Sequence, residues 1–299
     1  MRSGAIPLGD ALMETILVAT DFSDRSDLAV ARAALIAAKS RAQLHLIHVV
    51  DDDQKPRIVE GETAISKQIL QEEIARLNQI DGLQCTCDVL LGDPFEGICG
   101  FADTINPRLL VIGAHRRRVL RDVFVGTTAQ RTIRRARWPV LMVNAPPSQT
   151  YRNVLMATDL SENSRRAAAH LAKLNLAPPE DHTLLHIIDA PARRLIMSDV
   201  LAEDQMTRYL AELQIEAEQD LKDFAESLSF DDCNRVARQS SGATSAAVLQ
   251  SAGDFDVDLI VVASQGRVGL SKTFLGSVAE EVLRRAARDV LAIPPDLPH

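Results

Sequence analysis

Short apolar runs alternate along the chain with longer segments whose apolar residues recur at helical spacing. In the first half the apolar runs predict strands at 15–20, 43–50, 83–90, 108–113 and 139–143. The segments between them predict helices near 24–39, 62–79, 94–105 and 127–137. This alternation is typical of an α/β protein with a mainly parallel sheet and helices on both faces.

The second half of the chain repeats the first. The phrase Ala-Thr-Asp closes the first strand at Asp21 and returns 138 residues later at Asp159, while Gly126 and Gly276 are 150 residues apart. A tandem duplication explains both offsets, and it places twelve extra residues in the second copy. In that copy we expect strands near 152–157, 182–188, 234–239, 257–262 and 289–293, and a longer second helix near 199–228.

Chain length and composition agree with two cytoplasmic domains. The 299 residues are enough for two cores, which we expect at 1–146 and 150–299, with a proline-containing linker at 144–150. There is no run of 18 apolar residues, and the amino terminus lacks the apolar segment of a signal peptide. We therefore expect no membrane association. Cys85 and Cys87 are interpreted as buried free thiols, and no metal site is expected.

A glycine-bearing loop follows the apolar run 257–262 and leads into a helical pattern that starts near Val278. Backbone N–H groups at a helix N-terminus attract anions, and Gly266 and Gly276 would let a phosphate approach the main chain. Ser277 and Glu280 have the spacing of a capping box. The loop therefore indicates a nucleotide-phosphate cradle; the alternative is an ordinary strand-to-helix connection.

Asp159 is expected to face the same crevice. In a doubly wound sheet, ligands bind at the carboxyl ends of the strands where the strand order reverses. Asp159 ends the first strand of the second copy, and the glycine loop follows the fourth. The other interpretation is that Asp159 caps the following helix.

The glycine loop resembles the signature of the universal stress protein family, G-x2-G-x9-G-[ST], with Ala263 in place of the first glycine. We expect that alanine to tighten the site without abolishing it. The resemblance covers both copies and implies, for each, a five-stranded sheet of order 3-2-1-4-5, as in adenine-nucleotide alpha-hydrolase-like folds. It also implies that the final strands, 138–144 and 289–293, pair to join the two halves.

The resemblance further implies an ATP site in the second copy, with or without Mg²⁺ and with no covalent cofactor. Asp159 would lie near adenine or ribose, and Ile187 would offer backbone contacts to the base. Glycines and the helix start would surround the phosphates. The full set of expected binding residues is Ala157, Thr158, Asp159, Ile187, Val262, Ala263, Gly266, Gly276, Ser277, Val278 and Ala279.

The first copy carries a degenerate form of this site. Its second motif glycine is replaced by Arg116, whose side chain opposes both a positive φ and close phosphate approach. We therefore expect ATP binding in the usual pose to be impaired there. The corresponding residues are Ala19, Thr20, Asp21, Val49, Gly113, Arg116, Gly126 and Thr127.

Charge is distributed unevenly around the degenerate loop. Eight arginines lie between 115 and 137, although the formal charge is 0 over residues 1–148 and −8 over 149–299. The cluster is either a patch that binds anions or acidic partners, or a solvated helix face that pairs with the acidic second half. A neutral first half and an aromatic content of 4% do not favour nucleic-acid binding.

The function predicted from these features is adenine-nucleotide binding, mainly in the second domain, as part of a stress response. The chain lacks G-x-S-x-G, H-E-x-x-H and Walker-type motifs, so ATP turnover should be absent or slow. The alternatives are a scaffold that acts through protein partners, a slow ATP hydrolase, and a first domain that holds an anionic metabolite through Arg116. A homodimer is a further expectation.

Overall fold

The computed structural model of the chain describes residues 14–114, 128–189, 203–228, 230, 232–240, 242–266 and 275–295. In its first half, strands and helices alternate as the apolar pattern predicts. The strands are β1 Thr15–Ala19, β2 Gln43–Val50, β3 Gln84–Leu91, β4 Leu109–Gly113 and β5 Val140–Val143. The helices are α1 Asp24–Ser40, α2 Pro56–Leu77, α3 Pro94–Ile105 and α4 Thr128–Arg135.

The second half has the same order of elements. Its strands are β6 Val154–Thr158, β7 His182–Asp189, β8 Asn234–Ser240, β9 Leu259–Ala263 and β10 Asp289–Ile293. The helices are α5 Glu162–Leu174, α6 Glu203–Glu226, α7 Thr244–Asp254 and α8 Ser277–Arg285, with a 3₁₀ turn at Pro179–Asp181. The first part of the predicted helix 199–228 lies outside the described residues.

All ten strands form one sheet in the order β3-β2-β1-β4-β5-β10-β9-β6-β7-β8. Each half therefore has the predicted order 3-2-1-4-5, and its strands are parallel. The halves meet where β5 and β10 pair antiparallel, with Leu141 opposite Leu291. The predicted α/β fold and the pairing of the final strands are both confirmed.

The hydrophobic core continues through this seam on both faces of the sheet. On one face Leu141 and Leu291 belong to a cluster that also contains buried residues of α1 and α5. On the other face Val140 and Val290 belong to a cluster with buried residues of α4 and α8. The two repeats therefore share their core instead of meeting at a polar interface.

A buried polar cluster also fastens the halves together. Asp289 is fully buried, and its Oδ2 accepts hydrogen bonds from Arg32 Nε at 3.1 Å and Tyr151 Oη at 2.6 Å. Its Oδ1 accepts bonds from the backbone N–H groups of Asn144 and Ala145 at 2.8 and 3.1 Å. Helix α1, the linker and the last strand thus converge on one carboxylate.

Two predicted helix starts need correction. Helix α2 begins at Pro56, not near 62. Proline has no backbone N–H, and it fits the first helical position because an N–H there would have no acceptor within the helix. Ser277 is not the N-cap of α8: it is the first helical residue, Gly276 is the cap, and no side chain bonds to the cap position. The Ser277–Glu280 spacing therefore does not form a capping box.

The structure shows no helix among the described residues with both the length and the apolar character needed to cross a membrane.

Candidate functional site

A cavity of about 960 Å³ opens at the carboxyl ends of β6, β7 and β9. This is the switch point of the second half, because β6 is flanked there by β7 on one side and β9 on the other. Every residue expected to bind nucleotide in the second half lines it: Ala157, Thr158, Asp159, Ile187, Val262, Ala263, Gly266, Gly276, Ser277, Val278 and Ala279. The fold therefore brings the whole predicted set to one surface.

A strained turn presents Asp159 to this cavity. Leu160 takes a left-handed φ of 62°, which is uncommon for a branched residue. The turn is held by Leu160 N–H donating to Thr158 Oγ1 at 3.0 Å and by Ser164 Oγ donating to Asp159 Oδ1 at 2.6 Å. Hydrogen bonding thus orients the Asp159 carboxylate.

Ser161, rather than Asp159, caps helix α5. Its Oγ accepts the Ser164 N–H at 3.2 Å, the side-chain bond expected of an N-cap. Asp159 Oδ1 accepts the Ser161 N–H at 3.0 Å and so supports the turn from outside the helix. The interpretation of Asp159 as a simple N-cap is therefore wrong.

The two motif glycines have different reasons to lack a side chain. A Cβ on Gly266 would lie 2.9 Å from Asp159 Oδ2, so a side chain there would require the carboxylate to move. Gly276 has an ordinary backbone (φ −61°, ψ 145°), and among the described residues the atom nearest to its Cβ would be Ser264 O, at 3.6 Å. The fold therefore tolerates a side chain at 276, where it would enter the cavity.

The N-terminus of α8 lies on the cavity wall. Gly276 N–H is used internally, donating to Ser264 O at 2.8 Å. The next three N–H groups, of Ser277, Val278 and Ala279, have no hydrogen-bond acceptor within the part of the chain that the structure describes. These donors and the helix dipole suit an anion.

The far wall of the cavity was missed by the sequence analysis. It consists of one face of the long helix α6, with Leu213, Glu216, Ala217 and Asp220. Their spacing of three and four residues is the signal that could have found them, since it places all four on one helical face.

Comparison with known proteins agrees with the fold and the repeat. A sequence model of the Universal stress protein family matches residues 13–144 and 150–294. The chain belongs to the universal stress protein family. It is 29% identical over 149 residues to a universal stress protein of Methanocaldococcus jannaschii, covering 47% of this chain and 88% of that protein. It is 26% identical to universal stress protein E of Salmonella typhi, covering 68% of this chain and 66% of that protein.

A solved universal stress protein from Archaeoglobus fulgidus has the same arrangement over nearly the whole chain. The TM-score is 0.66 at 16% identity, and the match covers 94% of this chain and 98% of that one. At this identity the likeness concerns the fold alone. It agrees with two universal stress protein repeats in one chain.

The first universal stress protein repeat forms the same turn but a smaller cavity. Phe22, which corresponds to Leu160, has a φ of 57°, and the cavity beside it has a volume of about 250 Å³. Ala19, Thr20, Asp21, Val49 and Gly113 line it, whereas Arg116, Gly126 and Thr127 lie outside the described residues. The second repeat thus has the larger opening at its switch point.

Asp21 remains charged in this smaller cavity. Burial works to raise its pKa, but hydrogen bonds from Ser23 and Ser26 and the nearby Arg25 outweigh burial, so the pKa of Asp21 is lowered. Gly113, the first motif glycine here, has a packing role because a Cβ would lie 2.8 Å from the carbonyl oxygen of Arg25. Ala263 shows that the second repeat accepts a methyl group at the same position.

Three of the four arginines of the cluster that the structure describes form ion pairs, and the fourth, Arg137, is exposed. Arg131, Arg134 and Arg135 of α4 form ion pairs with Asp93, Glu280 and Asp103, respectively. Glu280 belongs to the second repeat, as the interpretation of a solvated face paired with the acidic half requires. The other arginines before residue 128 and His115 lie outside the described residues.

Metal-ligand groups do not converge on the large cavity. Among the described residues, the group of three or more potential ligand atoms close enough to share an ion is Asp51, Asp52 and Asp53, and all three are exposed.

Proposed function

We propose that the second repeat binds ATP or a related adenine nucleotide and that occupancy of this site serves a stress response. The observation that carries the proposal is Gly276. Its backbone conformation does not require a glycine, and among the described residues a Cβ would meet no atom closer than 3.6 Å, which leaves room for a side chain on the cavity wall. Glycine also suits the N-cap position that Gly276 occupies, but the lack of a side chain at this point of the cavity wall lets a ligand approach the main chain.

The surrounding residues fit the parts of a nucleotide. The N–H groups of Ser277, Val278 and Ala279, which have no acceptor among the described residues, would hold phosphate oxygens, and Asp159 would accept hydrogen bonds from ribose or adenine. Val262 and Ile187 supply apolar surface beside them. Family membership supports the same role, since the resemblance that led to these residues implies an ATP site.

The first test is mass spectrometry of ligand released from freshly purified protein, together with calorimetric titration of ATP, ADP, AMP and cAMP. We expect one adenine nucleotide per chain. Gly276→Val should abolish binding, because its side chain would occupy the phosphate space, while the melting temperature stays close to that of the wild type. Gly253→Val, on α7 away from the cavity, controls for the substitution itself.

A different number of bound nucleotides per chain, or their hydrolysis, would indicate a different function. Two nucleotides per chain would show that the first repeat also binds despite Arg116. No bound nucleotide and no heat at millimolar ATP would contradict the proposal and leave a scaffold that acts through protein partners. A steady release of ADP, lost in Asp159→Ala, would indicate the slow hydrolase.

A further inference from the structure

Helix α2 carries an apolar stripe on its exposed side. Ile58, Ile65 and Ile69 are 45%, 61% and 38% exposed, so the described part of the chain leaves them largely uncovered. Their spacing of seven and four residues aligns them along the helix, because each residue turns an α-helix by about 100°. Single exposed apolar residues are common on protein surfaces, whereas three aligned isoleucines on one helix indicate a contact surface.

The stripe lies apart from the side of α2 that packs on the sheet. Helix α2 packs against β2 and β3, and β3 is the edge of the sheet farthest from the second repeat. The buried residues of α2 lie roughly 100° round the helix from the isoleucines. These buried residues are Val59, Ser66, Leu70 and Leu77. Among the described residues, those that line the two cavities include none from α2. The stripe therefore serves neither the core nor a cavity.

A glycine lies beside the stripe. Gly61 is three residues after Ile58 and four before Ile65, so it neighbours both on the helix surface. Glycine is less favourable than alanine inside a helix, and at this position a Cβ would meet no atom of the described residues within 4 Å. Packing within the chain thus gives no reason for glycine, whereas it lets a second helix approach the backbone of α2 closely.

The charges around the stripe follow opposite orders at its two ends. Outward from Ile65, a basic pair and then an acidic run lie towards the start of the helix, while an acidic pair and then a basic residue lie towards its end. These residues are Arg57, Lys55 and 51–53 on one side and Glu72, Glu73 and Arg76 on the other. All are exposed except Glu73, which is partly buried and pairs with Arg76. Two copies of α2 therefore match in charge order when they run in opposite directions.

We propose that α2 is the contact surface of a homodimer, in which the α2 helices of two copies pack antiparallel about a two-fold axis near Ile65. The axis brings Ile65 against its own counterpart and sets Arg57 level with Glu73 of the other copy. Glu62 comes level with the neutral Gln68 of the other copy, so the acids near the stripe do not face one another. Such a contact is isologous and closes with two copies. It does not depend on the nucleotide function proposed above.

The second repeat does not carry this stripe. Counting by the 150 residues that separate β3 from β8, the positions that match Ile58, Ile65 and Ile69 are Arg208, Ile215 and Gln219. Ile215 is 68% exposed and stands between these polar residues on α6. It does not line the large cavity. The dimer contact is therefore particular to the first repeat, and Ile215 provides a matched control position.

Sedimentation equilibrium of the full chain tests the proposal, from about 1 μM to about 300 μM, a range that brackets micromolar affinity. We expect a reversible dimer of micromolar dissociation constant, because a single pair of helices forms a small interface. Ile65→Glu should weaken the dimer about tenfold or more, since the two-fold axis brings two unpaired carboxylates into the apolar contact. Ile215→Glu makes the same substitution on an equally exposed helix position and should leave the dissociation constant unchanged. Circular dichroism confirms that both variants are folded.

Charge exchange tests the antiparallel direction. Lys55→Glu combined with Arg57→Glu gives an acidic variant, and Glu72→Lys combined with Glu73→Lys gives a basic one. Each should dimerise about tenfold more weakly than the wild type, because like charges then face one another. An equimolar mixture, with one variant carrying a fluorescent label, should form a heterodimer about as tight as the wild-type dimer, since both ends of the contact regain opposite charges.

Three results would overturn the proposal. A wild-type chain that stays monomeric at every concentration would show that the stripe meets a different protein and not a second copy. Equal dissociation constants for Ile65→Glu and Ile215→Glu would move the dimer contact away from α2. A mixture of the charge variants that dimerises no better than either alone would contradict the antiparallel arrangement.

Discussion

Asp289, in the last strand of the second repeat, is hydrogen-bonded to Arg32 of the first repeat and to the linker. Four donors from α1, the linker and Tyr151 share its two oxygens, and the Arg32 guanidinium also lies 4.2 Å from the Tyr151 ring centre. Burial, followed by the charge of Asp289, raises the pKa of Tyr151 well above its ordinary value. A buried ion pair adds little stability against an apolar substitute, but breaking it leaves one charge unpaired.

Asp289→Ala should therefore lower the free energy of unfolding by roughly 3–5 kcal/mol, since Arg32 would stay buried without its carboxylate. Urea unfolding followed by circular dichroism measures the change. Asp103→Ala is the control: Asp103 pairs with Arg135 at 3.2 Å but its side chain is 40% exposed on helix α3, so the loss should stay within about 1 kcal/mol. Equal effects at the two positions would contradict the role assigned to Asp289.

His182 should make the second repeat sensitive to acid. Its ring is buried, and within the described structure neither ring nitrogen has a hydrogen-bond partner. Burial lowers the pKa of His182, and the neighbouring carbonyls of Pro178 and Pro179 oppose this only in part. The unfolded chain therefore binds more protons, and stability should fall as pH drops below about 6.5.

Urea unfolding at pH 7.5, 6.5 and 5.5 tests this dependence. His182→Leu should reduce the loss of stability on acidification, because the leucine side chain has no proton to bind. His45→Gln should give a smaller reduction, because the charge of Asp88 and its hydrogen bond to the His45 ring oppose the lowering of that pKa by burial. An unchanged pH profile in His182→Leu would show that acid acts elsewhere.

At the scale of elements, the same strand–turn–helix unit is built twice. In each copy the strand ends in Thr-Asp, a residue with positive φ follows, and a serine caps the helix. In the first copy Ser23 and Ser26 bond reciprocally as a capping box; in the second, the Ser164 hydroxyl donates to Asp159 instead. The second unit thus uses the third residue of the helix, Ser164, to orient the candidate ligand-binding carboxylate.

Ser161→Ala should cost about 1 kcal/mol of stability through loss of the α5 cap. It should leave Asp159 in place, because Ser164 still donates to its Oδ1. Ser164→Ala should weaken nucleotide binding more than Ser161→Ala does, since it frees the carboxylate to rotate. Thermal unfolding and ATP titration of both variants separate the two roles; the reverse order of affinities would contradict this assignment.

At the scale of the molecule, the halves are related by a pseudo-two-fold axis through the β5–β10 seam. Leu141 faces Leu291, its own counterpart at the 150-residue offset, while Val140 faces Ala292 and Met142 faces Val290. This reciprocal pattern is that of an isologous dimer interface. The seam thus resembles a homodimer contact contained within one chain. The homodimer of whole chains expected from the sequence stays a prediction.

The isolated second half, residues 150–295, should form dimers through β10. Its edge strand would otherwise expose unpaired backbone groups and the apolar side chains that β5 covers. Light scattering after gel filtration should give twice the mass of the half. A monomer at every concentration tested would show that the seam depends on Arg32 and the rest of the first half.

Several secondary-structure elements show which features can be predicted from the local sequence pattern. The bounds of β2, α3 and β10 were predicted to the residue, because apolar periodicity and proline or glycine boundaries are local properties of the backbone. The expected nucleotide residues came instead from the family resemblance, which the glycine loop carries, and all of them line one cavity in the structure. The start of α8 was misplaced by one residue, as Gly276 and Ser277 are both acceptable caps.

By itself, the sequence of this protein determined the duplication, the strand order through its family resemblance, and the residues at the carboxyl ends of β6 and β9. Only the tertiary structure decided that one face of α6 closes the cavity and that Asp289 anchors both halves. Arg32 and Asp289 are 257 residues apart, and Tyr151 and Asp289 are 138 apart. Such contacts form only when complete helices and strands pack together. The local sequence pattern therefore does not predict which charged residues become buried.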